Sequence, residues 1–321
     1  MISGYTEQSG RLVLIGEDSQ MSAVWLDMTS PTSDDEAMLE AALGLDLPTR
    51  EEMEEIEQSS RLYAEDGALF MTVTIPAQTE GDAPVIAPVT FVLTSKQLVT
   101  IRYHAPKAFE IFVLRASKGA FDCGGSEQVM LSLLEVVVDR LADVLERLSR
   151  DIENISRSIF AKDGANARRG SGWRSVLEEI GRKGDMVSTI RDSLSSLDRL
   201  SVFWGQRLRD ASDGRAVRSR LKDLEADVRG LSDHTGFMSQ KITFLMDATL
   251  GLIGIEQNGI IKIFSVASVV FLPPTLIASI YGMNFAHMPE LTWPFGYPAA
   301  LVLMVLSAIL PYLYFKRRGW L

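Results

Sequence analysis

Ile263-Phe264-Ser265-Val266-Ala267-Ser268-Val269-Val270-Phe271-Leu272-Pro273-Pro274-Thr275-Leu276-Ile277-Ala278-Ser279-Ile280-Tyr281-Gly282-Met283-Asn284-Phe285-Ala286 runs without a formal charge, and so does Phe295 to Phe315. A helix rises about 1.5 Å per residue, so roughly twenty apolar residues cross a hydrocarbon core. Both stretches meet that length, with a short connection between them. They predict a two-span hairpin with Gly282-Met283-Asn284 at the exit of its first helix. Lys316-Arg317-Arg318 follows the second span, while the connection carries only Glu290 as a formal charge. Basic residues stay cytoplasmic, so both ends are expected in the cytosol and the loop outside. The competing reading, a buried core hairpin, fits neither length nor flanks.

Working outward, residues 215–281 hold no proline before Pro273. Val217, Leu221, Leu224, Val228, Leu231, Met238, Ile242, Leu245 and Leu252 recur at three and four, the period of one helix face. One long helix is expected to run from the stalk into the first span. Two amphipathic helices precede it, one on Met130, Leu133, Val137, Leu141, Val144, Leu148, Ile152 and Ile155, the other on Val176, Ile180, Val187, Ile190, Leu194 and Leu197. Turns are expected at Lys162 to Gly170 and at Asp213-Gly214.

The first 120 residues alternate short apolar runs with turn signals, predicting a mixed α/β domain of about six strands. Strands are expected at Arg11 to Ile15, Ser22 to Leu26, Arg61 to Ala64, Ala68 to Ile75, Val85 to Thr94 and Gln97 to Tyr103. A helix is expected from Ser33, capped by that serine and ending at Gly44, and another after Pro48. The expected division is 1–125 cytoplasmic α/β domain, 126–257 helical stalk, 258–283 first span, 284–295 external loop, 296–315 second span and 316–321 basic tail. No Gly-rich phosphate loop, nucleophile elbow or metal-ligand triad appears, so nothing reads as an enzyme or calls for an organic cofactor.

The formal charge of −10 over 321 residues argues against a nucleic-acid partner. Asp34, Asp35, Glu36, Glu40, Glu51, Glu52, Glu54, Glu55 and Glu57 crowd one stretch. They read either as a solvated helix face or as a reservoir for divalent cations. Cys123 is alone, and His104, His234 and His287 form no ligand pair at helical spacing. The N-terminus has neither the basic nor the apolar segment of a signal peptide.

A second stripe on the long helix carries the functional reading. Alternating fours and threes back from Asn258 pass Gly254, Gly251, Asp247, Phe244, Gln240, Phe237, Asp233, Gly230, Ala226 and Asp223. Forward they pass Ile261, Ser265, Ser268, Leu272, Thr275, Ser279 and Gly282. Hydroxyls in spanning helices often bond their own backbone or glue helices together. That account leaves open why they share a face with Asn258, Asp247 and Asp223. Several copies around one axis would turn this face into the wall of a cation pore.

Tyr281 to Phe285, followed by Met288-Pro289-Glu290-Leu291 and Trp293, resembles the signature loop of the CorA magnesium-transport family. The ending Pro311-Tyr312-Leu313-Tyr314-Phe315-Lys316-Arg317-Arg318 with Trp320-Leu321 is similar to the same family's C-terminus. The resemblance implies a homopentamer in the inner membrane, with the first span lining the pore and the second outside it. Gly282, Met283 and Asn284 would form the selectivity ring. Asn258, Ser268, Thr275 and Ser279 would be polar pore positions, and Ile261, Phe264 and Leu272 apolar constrictions. Asp223 would bind a regulatory metal between subunits, with Asp233 and Asp247 as further candidates on its stripe. The expected cargo is Mg²⁺, with Co²⁺ and Ni²⁺ also passing and cytosolic Mg²⁺ closing the pore. The family often has an acid after Gly-Met-Asn-Phe, where this chain has Ala286-His287, a site that could favour softer metals. The alternatives are a Zn²⁺ transporter of the same superfamily and, more distantly, a membrane-tethered scaffold.

Overall fold

The computed structural model describes residues 1–16, 22–81, 84–161, 172–208, 215–284, 288–289 and 293–318. The chain divides into two compact units, 1–246 and 247–321.

The first unit is built on a seven-stranded sheet. Its strands are β1 (Ile2–Gln8), β2 (Arg11–Ile15), β3 (Trp25–Thr29), β4 (Leu62–Glu65), β5 (Ala68–Ala77), β6 (Val85–Leu93) and β7 (Leu98–Arg102), in the order β2-β1-β3-β7-β6-β5-β4. Among the described strands only β3 and β7 pair in parallel, from Trp25↔Leu98 to Thr29↔Arg102. The β4–β5 hairpin turns through Asp66 and Gly67, both at positive φ, which matches the right-handed twist of the strands.

The expected count of six strands is one short. β1 was not legible because Ile2-Ser3-Gly4-Tyr5-Thr6-Glu7-Gln8 is mostly polar; it is held by ladders to β2 and β3. The run expected at Ser22 to Leu26 lies three residues later, as β3. That strand accommodates Asp27 because its carboxylate is matched inside the protein. Arg102 Nη2 lies 2.7 Å and Nε 3.0 Å from it, and Thr100 donates at 2.8 Å. Trp25 Nε1 in turn donates to Thr100 Oγ1 at 3.0 Å.

Helices cover both faces of the sheet. On one, α1 (Ser33–Leu43), α2 (Arg50–Glu54) and α3 (Gln58–Arg61) lie over a core of Leu26, Met28, Leu39, Met53, Phe70 and Val99. α1 is capped by Thr32 rather than Ser33. Thr32 accepts from the Asp35 amide and Asp35 accepts from the Thr32 amide, so two orphan donors are satisfied reciprocally. Gly44 ends α1 at φ 68, as expected.

On the other face lie α4 (Lys107–Ala116) and α5 (Ser126–Phe160), and α6 (Gly172–Leu208) packs on α5 and on β5. α4 follows Pro106 and buries Ala108, Phe109, Phe112 and Ala116, a helical spacing that the sequence reading passed over. Every residue expected on the apolar faces of α5 and α6 is buried. The sheet is tied to α6 where Ser196 Oγ accepts from the Thr74 amide at 3.1 Å. The turns expected at Lys162 to Gly170 and Asp213-Gly214 lie outside the described residues.

α7 spans Arg215–Tyr281 as one helix, Pro273 and Pro274 included. Val217, Leu221, Leu224, Val228, Met238 and Leu245 are buried. At roughly 1.5–3 kcal/mol per large apolar side chain, this seam holds α7 on the first unit. The Arg229–Asp198 and Lys241–Glu153 pairs beside it are solvent-facing and add little. α8 spans Gly296–Arg317, with Lys316 and Arg317 in its last turn, where cations favour the helix dipole. α7 and α8 each contain a window of mean hydropathy 2.0 that is long enough to cross a membrane.

Candidate functional site

The two faces of α7 differ as the periodicity predicts. Asp223, Asp233, Asp247, Asn258, Ile261, Phe264, Ser268, Leu272, Thr275 and Ser279 are all exposed, whereas the aliphatic seam is buried or half-buried. Up to Leu252 the stripe is the exposed face beside a buried seam; beyond it the stripe is exposed together with most of the span, and its polar and small residues alternate with Phe237, Phe244, Ile261 and Leu272. Ser268 Oγ donates to Phe264 O at 2.9 Å, and Thr275 Oγ1 donates to Leu272 O at 2.9 Å. The local account of these hydroxyls is thus correct for their protons. It does not exhaust them: a hydroxyl that donates inward keeps two acceptor lone pairs, and on this face they present oxygen to water or a cation.

At the C-terminal end of α7, Gly282 N donates to Ala278 O at 2.9 Å and Met283 N to Ile280 O at 3.2 Å. The backbone turns at Gly282, directly after α7 ends at Tyr281, without a left-handed conformation. The role of the glycine is steric. A Cβ at this position would meet Ala278 O at 3.2 Å, so a side chain would push against the closing carbonyl. Asn284 follows directly and is exposed. No basic residue occupies the last turn of α7. Within α7 itself no side chain neutralises the partial negative charge of that helix end, which favours a cation there. Phe285, Ala286, His287, Glu290, Leu291, Trp320 and Leu321 lie outside the described residues.

Asp223 sits in a concavity of about 320 Å³ with Asp227 from α7, Glu135 and Asp139 from α5, and Arg115 from α4. Arg220, one turn before Asp223, is engaged by both oxygens of Glu135 at 3.0 and 2.6 Å and by Ser132 Oγ at 3.0 Å. Burial pushes the Asp139 carboxyl above its ordinary range; Arg115 opposes the rise, and Asp143, Glu135 and Asp227 add to it. The neighbours of Asp223 were missed from sequence, although Asp227 at i+4 was there to be read. Asp233 lies ten residues on, about 15 Å along the helix, and joins no part of this cluster. Asp247 falls in the second unit. Among the described residues no three His, Cys, Asp or Glu side chains are placed to hold a metal ion.

The acidic stretch expected to be a solvated face or a cation reservoir has local duties. Asp35 and Glu52 close capping boxes, Glu36 accepts from Tyr103, Glu40 accepts from the Leu47 amide, and Glu54 pairs with Arg50. The solvated-face reading accounts for them. Of the histidines, His104 bonds Ile75 O through Nε2 at 2.7 Å, and His234 stacks with Phe237.

The family model of the CorA-like Mg²⁺ transporter proteins matches residues 20–317. The magnesium transport protein CorA of Pasteurella multocida is 39% identical over 326 residues, covering all of both chains. That of Escherichia coli K12 is 36% identical over 324 residues, again covering all of both. The complete structure of the CorA magnesium transporter from Methanocaldococcus jannaschii superposes with a TM-score of 0.78 at 22% identity, covering 100% of this chain and 99% of that one. The α/β domain, the long helix and the two apolar C-terminal helices are its fold as well. The chain belongs to the CorA-like Mg²⁺ transporter family, whose members are ion transporters and not enzymes.

Proposed function

We propose that this chain forms a Mg²⁺ influx channel of several identical subunits, five by resemblance, in the inner membrane with both termini cytoplasmic. The observation that supports it is the uncovered polar stripe of α7 ending at Gly282-Met283-Asn284. A hairpin of two helices has no interior, so a path for a hydrated ion needs several copies around an axis. In that ring Asn284 and the carbonyl ends of α7 meet the entering ion. Mg²⁺ releases its waters reluctantly and prefers octahedral oxygen. Amide oxygens accept hydrogen bonds from those waters without stripping them, and bind weakly enough to let the ion go on. Below them Ser279, Thr275, Ser268 and Asn258 offer oxygen, while Leu272, Phe264 and Ile261 narrow the path and close it by dewetting. Co²⁺ and Ni²⁺, also held by six waters, follow the same route. The decisive assay is cation flux into liposomes holding the purified chain. Mg²⁺ is expected to enter faster than Zn²⁺ under an inside-negative potential; no Mg²⁺ entry returns the chain to a scaffold, and Zn²⁺ preference to a zinc transporter.

Asp223 is proposed as the cytosolic sensor. Its cluster is acid-rich yet short of a full ligand set in one chain, which suits a metal shared between subunits. Bound Mg²⁺ would hold neighbours together with the pore closed, and a fall in cytosolic Mg²⁺ would release them. That requires only tighter binding to the closed state. Asp223→Ala is expected to raise by about tenfold the Mg²⁺ needed to protect the cytosolic portion from protease, since one carboxylate ligand is lost. Asp223→Lys places a fixed cation among Asp227, Asp139 and Glu135, so protection should become independent of Mg²⁺. Unchanged Mg²⁺ dependence in both variants would move the sensor elsewhere.

A further inference from the structure

The first unit holds a cavity of about 240 Å³ between the end of β5, the start of α4 and the middle of α5. Two cations from different elements, Lys107 of α4 and Arg140 of α5, line it and converge on one oxygen of Glu80, at 2.5 and 3.1 Å. Glu80 stands in the loop after β5, where Arg147 Nη2 donates to the carbonyl of its neighbour Thr79. The hydrogen bond and charge of Lys107, with Arg140 behind them, hold the Glu80 carboxyl below its ordinary range. The protein thus already binds one anionic group here, from its own chain.

The fit of that group is incomplete. Glu80 is 58% exposed, so its bridges are worth little, whereas Arg140 is only 19% exposed. Arg140 Nε is buried without a hydrogen-bond partner among the described residues, and a buried donor left unpaired costs free energy. α4 opens at Pro106 with no capping side chain, and its first two residues, Lys107 and Ala108, both line the cavity. The amides of a helix's first turn have no partner within the helix, and its dipole favours negative charge. One bridging carboxylate oxygen leaves these donors over.

We infer that this cavity is a binding site for inorganic phosphate, which displaces Glu80 from Lys107 and Arg140. Phosphate offers four oxygens to the guanidinium, the ammonium and the α4 amides. It carries about 1.5–2 negative charges at neutral pH, against the single charge of Glu80. Glu110, in the first turn of α4, also lines the cavity. Phosphate retains a hydroxyl that can donate to this carboxylate, and sulfate has none. Size points the same way. Sites for drug-sized ligands measure roughly 300–1,000 Å³, so a cavity of 240 Å³ suits a small anion.

Calorimetric titration of the purified full chain in detergent with inorganic phosphate, at fixed ionic strength and Mg²⁺, tests this. The wild type is expected to bind phosphate about tenfold more tightly than sulfate, and Glu110→Gln should bind the two alike. Lys107→Ala or Arg140→Gln should weaken phosphate by about tenfold or more, the worth of one hydrogen bond to a charged group. Glu80→Gln should move the other way and tighten phosphate by about tenfold, because the competing carboxylate is gone. Thermal unfolding shows whether each variant is folded. A purely structural bridge predicts instead that Glu80→Gln lowers Tm and gains no affinity for phosphate. That outcome overturns the inference, as does a wild type that binds sulfate as tightly as phosphate. A preference for phosphate that persists in Glu110→Gln removes Glu110 from the site.

Discussion

Asn284→Ala is expected to lower Mg²⁺ uptake by about 100-fold or more while leaving assembly intact. Each amide of the proposed ring contributes one or two hydrogen bonds to the ion's water shell, at roughly 0.5–1.5 kcal/mol apiece. All subunits of the proposed ring lose them together, and every 1.4 kcal/mol is about a factor of ten. The side chain is exposed at the end of α7, so among the described residues truncating it opens no cavity. Asn284→Asp is the informative companion. It keeps the oxygen and adds charge beside a helix end that is already negative, so the ion should bind more tightly and leave more slowly. Uptake should then fall at high Mg²⁺ but survive at low Mg²⁺. Flux of a Mg²⁺-sensitive dye signal in liposomes reads both variants; wild-type flux in Asn284→Ala would remove this residue from selection.

The membrane half of the fold was legible because it depends on sums over twenty residues. Charge-free length, flanking Lys316-Arg317-Arg318 and a three-four repeat each tolerate local exceptions, and Pro273-Pro274 is such an exception inside an unbroken α7. What was not legible depends on partners far apart in sequence. β1 is a strand because β2 and β3 flank it, and its own seven residues do not say so. β3 was placed three residues early because Asp27 looks wrong for an inner strand until Arg102 is brought beside it, 75 residues away. The same limit applies to the site. The stripe from Asn258 to Gly282 is a property of one helix and could be read by counting. The surroundings of Asp223 come from three helices, and only its i+4 neighbour Asp227 lies within reach of a sequence pattern. The acidic run from Asp34 to Glu57 left two readings open in the sequence, a solvated face or a cation store, and the caps and side-chain bonds of Asp35, Glu36, Glu40, Glu52 and Glu54 are partners that charge density alone does not reveal.

Asp27→Ala is expected to destabilise the first unit by about 3–5 kcal/mol, the cost of leaving a buried ionic partner without its counter-charge. The side chains of Asp27 and Arg102 are 8% and 11% exposed, so water cannot replace the lost carboxylate. Arg102 keeps a bond to His104 O at 2.8 Å and its place over the Phe109 ring at 4.7 Å, which points to the lower end of that range. Thr100 loses an acceptor as well, and with it the polar link to Trp25 loosens at the centre of the parallel β3–β7 pair. For a unit of this size the shift in Tm is roughly 6–20 °C. The charge itself, rather than the volume, is the cause claimed. Adding Arg102→Met to Asp27→Ala removes the stranded guanidinium and should recover most of the loss, because apolar replacement of a whole buried pair is often neutral. Thermal unfolding of the full chain in detergent at fixed Mg²⁺ measures this, since a bound ion would itself raise Tm. Equal destabilisation in the single and double variants would show that the pair acts through packing alone, and the account of why an aspartate stands in this inner strand would fail.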